Sequence, residues 1–181
     1  MNKIEESIKN IINAVDTSPN REGLQKTPQR YARFMSDFTS PIEFSPTVFQ
    51  SEGYDEMIVQ TNITFYSLCE HHLLPFFGTG TIAYIPDSHI IGLSKLSRML
   101  DHFSHQLQNQ ERITSQVADY LQKVTKAKGV GVVLEARHLC MEMRGIQKPG
   151  ASTSTSALRG HFKTRSQTRN EFLTLTRKDQ S

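Results

Sequence analysis

Along the chain, the spacing of hydrophobic positions switches between a helical period and a strand period. Ile4, Ile8, Ile11, Ile12 and Val15 recur at helical spacing and predict an amphipathic helix over residues 3–15. Asp16-Thr17-Ser18-Pro19-Asn20 interrupts it with loop chemistry. Thr27 then reads as an N-cap with Pro28 at the first helical position. The helix it opens carries Tyr31, Phe34, Met35 and Phe38 on one face and stops before Pro41. Residues 39–53, with Pro41, Pro46 and Gly53, read as a linker. From Met57 the period drops to two: Met57, Val59, Ile63 and Phe65 alternate with Gln60, Asn62 and Thr64, as in a half-buried strand. Gly78 to Pro86 reads as the returning strand of a hairpin with a long connecting loop.

Helical spacing resumes at Leu96, Met99, Leu100, Phe103 and Leu107, with Ser94 as the predicted N-cap, and again at Ile113, Val117, Leu121 and Val124. Gly129 to Cys140 returns to strand: Val130, Val132, Leu134 and Ala136 share a face, and the same parity runs on to His138 and Cys140. Ala151 to Phe162, rich in Ser and Thr, fits both a flexible loop and a fourth strand. A short helix is expected near Phe172. The pattern divides the chain into an N-terminal helical region, 1–53, and one α+β domain, 54–181.

Composition narrows the function classes. The 181 residues are 36% hydrophobic, and no apolar run approaches the roughly 18 residues of a bilayer span. The first residues lack the apolar segment of a secretory signal, so the cytoplasm is the expected location. The net charge of +3 comes from scattered Lys and Arg without a dense basic run or interleaved aromatics. Neither nucleic acid nor membrane is an expected partner. A few arginines around a small anionic ligand account for the charge equally well.

The chemistry concentrates in Ser67-Leu68-Cys69-Glu70-His71-His72-Leu73-Leu74, where a thiol, a carboxylate and two imidazoles occupy four successive positions. The only other cysteine is Cys140, in His138-Leu139-Cys140. Cys69, His72 and Cys140 form a nitrogen-and-sulfur donor set suited to zinc, and three protein ligands leave a fourth position for water. Two buried thiols, or a Cys69–Cys140 disulfide, would read the same way from spacing alone, though a disulfide is foreign to the cytoplasm. His71 and His72 are too close in the turn for both to face one metal, which assigns one to ligation and the other to work nearby. Ser94, Lys95 and Arg98 sit at a predicted helix start, which fits a phosphate site and also an ordinary solvated first turn.

Five collinear stretches, Cys69-Glu70-His71-His72, Ala83-Tyr84-Ile85-Pro86, Ile91-Gly92-Leu93-Ser94-Lys95, Gln110-Glu111-Arg112 and His138-x-Cys140 with Met143-Arg144-Gly145, closely resemble GTP cyclohydrolase type I. The resemblance spans roughly residues 21–175. It implies the tunnelling fold, strand pairs flanking two antiparallel helices, and it makes Ala151–Phe162 a strand. It also implies a homodecamer with active sites between subunits. The implied reaction is hydrolysis of GTP at guanine C8 with release of formate and rearrangement to 7,8-dihydroneopterin triphosphate, the first step of pterin and folate synthesis. By the same resemblance Cys69, His72 and Cys140 hold Zn2+, and His71 and His138 transfer protons. Gln110 neighbours the hydrated metal and Glu111 reads the guanine edge. Ser94, Lys95, Arg98 and Arg144 cradle the triphosphate, and Arg30 reaches in from an adjacent subunit.

Overall fold

The apolar stripe of residues 3–15 winds into α1 (Lys3–Val15), and α2 (Thr27–Thr39) packs against it after a short 3-10 turn at Glu22–Leu24. The computed structural model describes residues 3–40 and 42–177. The chain divides into two units, Met1–Ser40 and Pro41–Ser181. Pro41, the expected helix stop, lies outside the described residues. Thr27 is not the N-cap of α2. Lys26 takes that place, and the Thr27 hydroxyl donates backwards to the carbonyl of Gly23 at 3.3 Å, so it cannot cap the turn ahead.

The second unit is built on a five-stranded sheet. Its strands are β2 (Ile58–Cys69), β3 (Pro75–Ile85), β5 (Leu107–Gln108), β6 (Gly129–His138) and β7 (Ser152–Gly160), in the spatial order β5-β2-β3-β6-β7. The β2–β3, β3–β6 and β6–β7 pairs are antiparallel, and β5 runs parallel to β2. A separate two-stranded ladder joins β1 (Val48–Gln50) to β4 (His89–Ile91). The stretch read as a linker is therefore not linker throughout, because Val48–Gln50 within it pair with β4. Ala151–Phe162 resolves as strand β7 followed by the short α6 (His161–Thr164), and α7 (Ser166–Arg177) follows. The hairpin loop between β2 and β3 is five residues, 70–74, and not long.

Two helices, α3 (Leu93–Ser104) and α4 (Gln110–Thr125), cover one face of the sheet. Their directions follow from hydrogen bonds. Gln60 donates to the Ser97 hydroxyl and Ser67 to the Ser104 carbonyl, so α3 runs along β2. Gln110 reaches Thr155 and Arg159 pairs with Asp119, so α4 runs along β7, which points the other way. Strand pair, antiparallel helix pair, strand pair is the tunnelling-fold arrangement expected above. Phe65, Phe76, Ile82, Leu96, Met99, Ile113, Val117, Leu121, Val130, Val132 and Leu134 fill the space between sheet and helices, each within 1% of complete burial. Burial of large apolar side chains at roughly 1.5–3 kcal/mol each makes this layer the main source of stability.

Two local features depart from the sequence pattern. The alternation from Met57 to Phe65 is not one face, because the pairing of β2 with β3 slips between Gln60 and Ile63, where Asn62 has φ +54°. The extra residue of this bulge sends Val59 to the outer face and Ile63 to the inner one. On that outer face Phe162 and Phe172, from α6 and α7, pack with Ala83 against Val59, Val133 and Leu158. At Gly78, in the middle of β3, an added Cβ would lie 1.9 Å from the carbonyl oxygen of Glu135 on β6. Because that neighbour is backbone in a continuous ladder, it cannot yield without opening the sheet. Gly78→Ala should cost about 3 kcal/mol or more in chemical denaturation. A variant as stable as the parent would mean that β3 and β6 are not this close.

Candidate active site

The turn after β2 is closed by its own main chain. The Cys69 carbonyl accepts from the amides of His72 at 3.2 Å and Leu73 at 2.8 Å, and the Cys69 amide donates to the Leu74 carbonyl at 2.9 Å. Leu73 takes the left-handed conformation, φ +55°, to make the turn this tight. Such a conformation costs a non-glycine residue on the order of 1 kcal/mol, and persists because the surrounding bonds determine it. Within the turn, Cys69 is buried, and its Sγ lies 3.6 Å from His71 Nδ1 and 3.8 Å from His72 Nδ1.

The same turn is fastened to α4. The Glu70 amide donates to the Gln108 carbonyl, extending the parallel β2–β5 pairing by one residue. The Glu70 carboxylate receives a two-pronged contact from Arg112, at 2.7 and 2.9 Å, and a third bond from Asn109 Nδ2 at 3.0 Å. Those donors, Arg112 first and Asn109 second, hold the carboxyl down to about 2. Asn109 is also the N-cap of α4, accepting from the Arg112 amide at 2.8 Å. One asparagine thus starts the helix and ties it to the turn.

Cys140 arrives from the other side of the sheet. The strand parity that runs through Val130 to Ala136 ends at His138, and Cys140 sits on a single helical turn, α5 (Leu139–Glu142), instead of on the strand. Arg137 and Glu142 clamp that turn with two bonds of 2.8 and 2.6 Å. The clamp lowers the Glu142 carboxyl and raises the guanidinium. Burial, and then the adjacent Cys69 thiol, push the Cys140 thiol up.

The ligating atoms of Cys69, His72 and Cys140 all lie within 4.8 Å of one another. Tetrahedral zinc with sulfur at about 2.3 Å and nitrogen at about 2.0 Å separates neighbouring ligands by roughly 3.6 Å, close to the Cys69–His72 spacing. The Cys140 thiol resists ionising in this place, and a divalent cation between the two sulfurs relieves that. The donor set therefore fits a metal ion. Arg144 stands beside it, with Nη1 3.3 Å from His72 Nε2.

His71 and His138 differ in setting. His71 is largely exposed, with its ring 6.2 Å from that of His72. His138 is partly buried, stacked at 4.7 Å and 3° on Phe76. Burial holds its imidazole below the ordinary range, with Glu111 pulling weakly the other way. Its Nε2 is 2.7 Å from Gln110 Oε1. The sequence-based expectation put Gln110 beside the hydrated metal, and the contact that the structure gives it is with this histidine.

The remaining expected residues lie elsewhere. α3 begins after Gly92, and Ser94 stands inside its first turn without a capping bond, because the Gly92 carbonyl already accepts from the Lys95 amide. Ser94 and Arg98 are exposed, and Lys95 is partly so. It is the far end of α3, Ser104, that meets β2 next to the turn, so about 15 Å of helix separates Ser94 from the Cys69 end. Arg30 belongs to α2 in the first unit. One chain thus gathers Cys69, His72, Cys140 and Arg144, sets His138, two residues before Cys140, against Gln110, and leaves Ser94, Lys95 and Arg98 apart on α3. Sequence reasoning passed over Asn109, Arg112, Thr114, Thr155 and Phe76. Asn109 before a helical pattern was a readable cap signal, whereas the other four depend on contacts across the fold.

Comparison with known proteins bears on this arrangement. The family model described as GTP cyclohydrolase I matches residues 4–177. Among curated relatives, a GTP cyclohydrolase 1 of Sulfurihydrogenibium sp. (strain YO3AOP1) is 51% identical, covering 96% of this chain and 94% of its own. Those of Aquifex aeolicus (strain VF5) and Campylobacter lari (strain RM2100 / D67 / ATCC BAA-1060) are 50% and 49% identical over similar spans. A solved archaeosine synthase QueF-Like protein in the apo form aligns with 65% of this chain and 97% of its own, at TM-score 0.46 and 13% identity. A match at half identity over nearly the whole length, on a fold that brings the Cys/His pairs together, leaves one assignment: this chain belongs to the GTP cyclohydrolase I family.

Proposed function

We propose that this protein hydrolyses GTP at guanine C8, releases formate and yields 7,8-dihydroneopterin triphosphate, opening pterin and folate synthesis in the cytoplasm. The observation that carries the reading is the three-donor set of Cys69, His72 and Cys140 in a family whose relatives bear the cyclohydrolase name. These residues hold Zn2+, which when bound acts as a Lewis acid and brings the pKa of water toward neutrality.

The other roles belong to the chain. His138, kept neutral by burial, and the exposed His71 move protons during hydration of C8, opening of the imidazole ring and loss of formate. The Glu111 carboxylate accepts from the N–H donors of the guanine edge. Arg144, Ser94, Lys95, Arg98 and Arg30 bind phosphate oxygens, where guanidinium and ammonium donors form charge-assisted bonds. The direct test is metal analysis of the purified protein beside an assay of GTP for formate release. Metal without formate would reduce the site to a binding module.

The separation of Ser94, Lys95 and Arg98 from the Cys69 turn within one chain supports a site completed by a second copy, and we place it in a homodecamer with active sites between subunits. An expected consequence is complementation. Lys95→Ala and His138→Ala are each nearly inactive alone. Oligomers assembled from a mixture regain activity, because some interfaces then pair two unaltered halves. Mixed assemblies no more active than the separate variants would place both halves on one chain.

A further inference from the structure

The bonds around Gln110 run in one direction. Its Nε2 faces two main-chain carbonyls, Leu134 of β6 at 3.0 Å and Thr153 of β7 at 2.9 Å, and the Thr155 hydroxyl at 3.1 Å. Carbonyls only accept, so the amide must present its NH2 to them and its oxygen to His138. Turning the amide over would set three oxygens against one another in a buried place, since Gln110 is 1% exposed. The chain of hydroxyls settles the same direction independently. Thr114 Oγ1 donates to the Gln110 carbonyl at 2.7 Å, a group that can only accept. The Thr114 proton is therefore committed, and in the 2.7 Å contact between the two hydroxyls Thr155 must be the donor. With its own proton committed, Thr155 Oγ1 can only accept from Gln110 Nε2.

Hence every proton in the sequence His138, Gln110, Thr155, Thr114 points the same way, ending on main chain. Gln110 Oε1 has a lone pair and no proton to offer, so His138 Nε2 must carry one. Turning the imidazole over would put Cε1 in place of Nε2 and forfeit the bond. Phe76, stacked parallel at 4.7 Å, covers one face of the ring and resists tilting. We infer that Gln110, oriented by the Leu134 and Thr153 carbonyls and backed by Thr155, is a positioning residue that holds His138 as the Nε2–H tautomer and leaves Nδ1 as the ring nitrogen open to the reaction. Main-chain carbonyls of β6 and β7, which no sequence pattern singles out, thereby decide which nitrogen is left open.

This inference rests on the proposed reaction for its kinetic consequence but not for its primary readout. Long-range 1H–15N correlation of the zinc-loaded protein reports the tautomer of His138 directly, whatever the enzyme turns over. The expected result is the Nε2–H pattern. An Nδ1–H ring overturns the inference and leaves the GTP reaction standing. Thr155→Val removes one of three acceptors at constant shape; with both carbonyls still facing the NH2, the Nε2–H pattern should persist and kcat and KM should stay close to the parent's. Gln110→Leu, which removes the acceptor, should abolish the tautomer preference altogether. If Gln110→Leu lowers only thermal stability, with tautomer and kcat as in the parent, the amide is structural and the positioning role falls.

Discussion

Cys69→Ser and Cys140→Ser should each lose most of the bound zinc and, with it, turnover of GTP. The two residues enter from different elements, one from the closed turn after β2 and one from the helical turn α5 beyond β6, so neither can replace the other. A serine hydroxyl keeps the shape but is a poor zinc ligand at neutral pH, and two remaining ligands are too few for a stable site. The fold should survive, because Cys140 is only partly buried and serine takes the place of the buried Cys69 at nearly constant shape. Elemental analysis after dialysis, with far-UV circular dichroism as a control, reads both. A variant that keeps a full equivalent of metal would remove that cysteine from the ligand set. Zinc lost together with secondary structure would instead make the ion a structural one.

His71→Ala and His138→Ala should do the opposite, retaining zinc and assembly while turnover falls by the roughly 10²–10⁴-fold typical of lost general acid–base catalysis. The structure distinguishes the two variants further. His71 is exposed, and its removal should leave stability unchanged. His138 is stacked on Phe76 and bonded to Gln110, so its removal leaves a buried amide oxygen without its donor and should cost about 1–3 kcal/mol in denaturation. Single-turnover reactions followed for both formate and pterin separate the steps. Accumulation of a ring-opened species without formate would place the altered histidine after the first hydration. Loss of zinc from His71→Ala, with His72→Ala keeping it, would exchange the roles of the two neighbours.

Much of this protein could be read without a fold. The helical spacing of Ile113, Val117 and Leu121, and the two-residue alternation of Val130, Val132 and Leu134, predict elements that exist, because both periods are local consequences of backbone geometry. The chemistry was local as well: a Cys-Glu-His-His turn and a His-x-Cys strand end are each visible in one glance at the chain. Where local reading failed, a contact from elsewhere had overruled it. Ser94 is no cap because Gly92 already closes the first turn, Thr27 is spent on Gly23, and Val59 and Ile63 part company at a bulge that only the pairing with β3 reveals.

What the sequence determined by itself was the inventory: a soft donor set, two further histidines next to it in the chain and the α+β order of elements. Tertiary structure alone decided how that inventory is arranged. It brought Cys140 within 4.8 Å of a turn about seventy residues away, and it set the Gln110 amide oxygen against His138. It also turned the Gln110 NH2 toward two main-chain carbonyls, and it left Ser94 and Lys95 at the distant end of α3. The physical reason is that periodicity encodes which face of an element is buried. The direction of a hydrogen bond, and the meeting of donors from β2, α4, β6 and β7, exist only once the sheet has set their register.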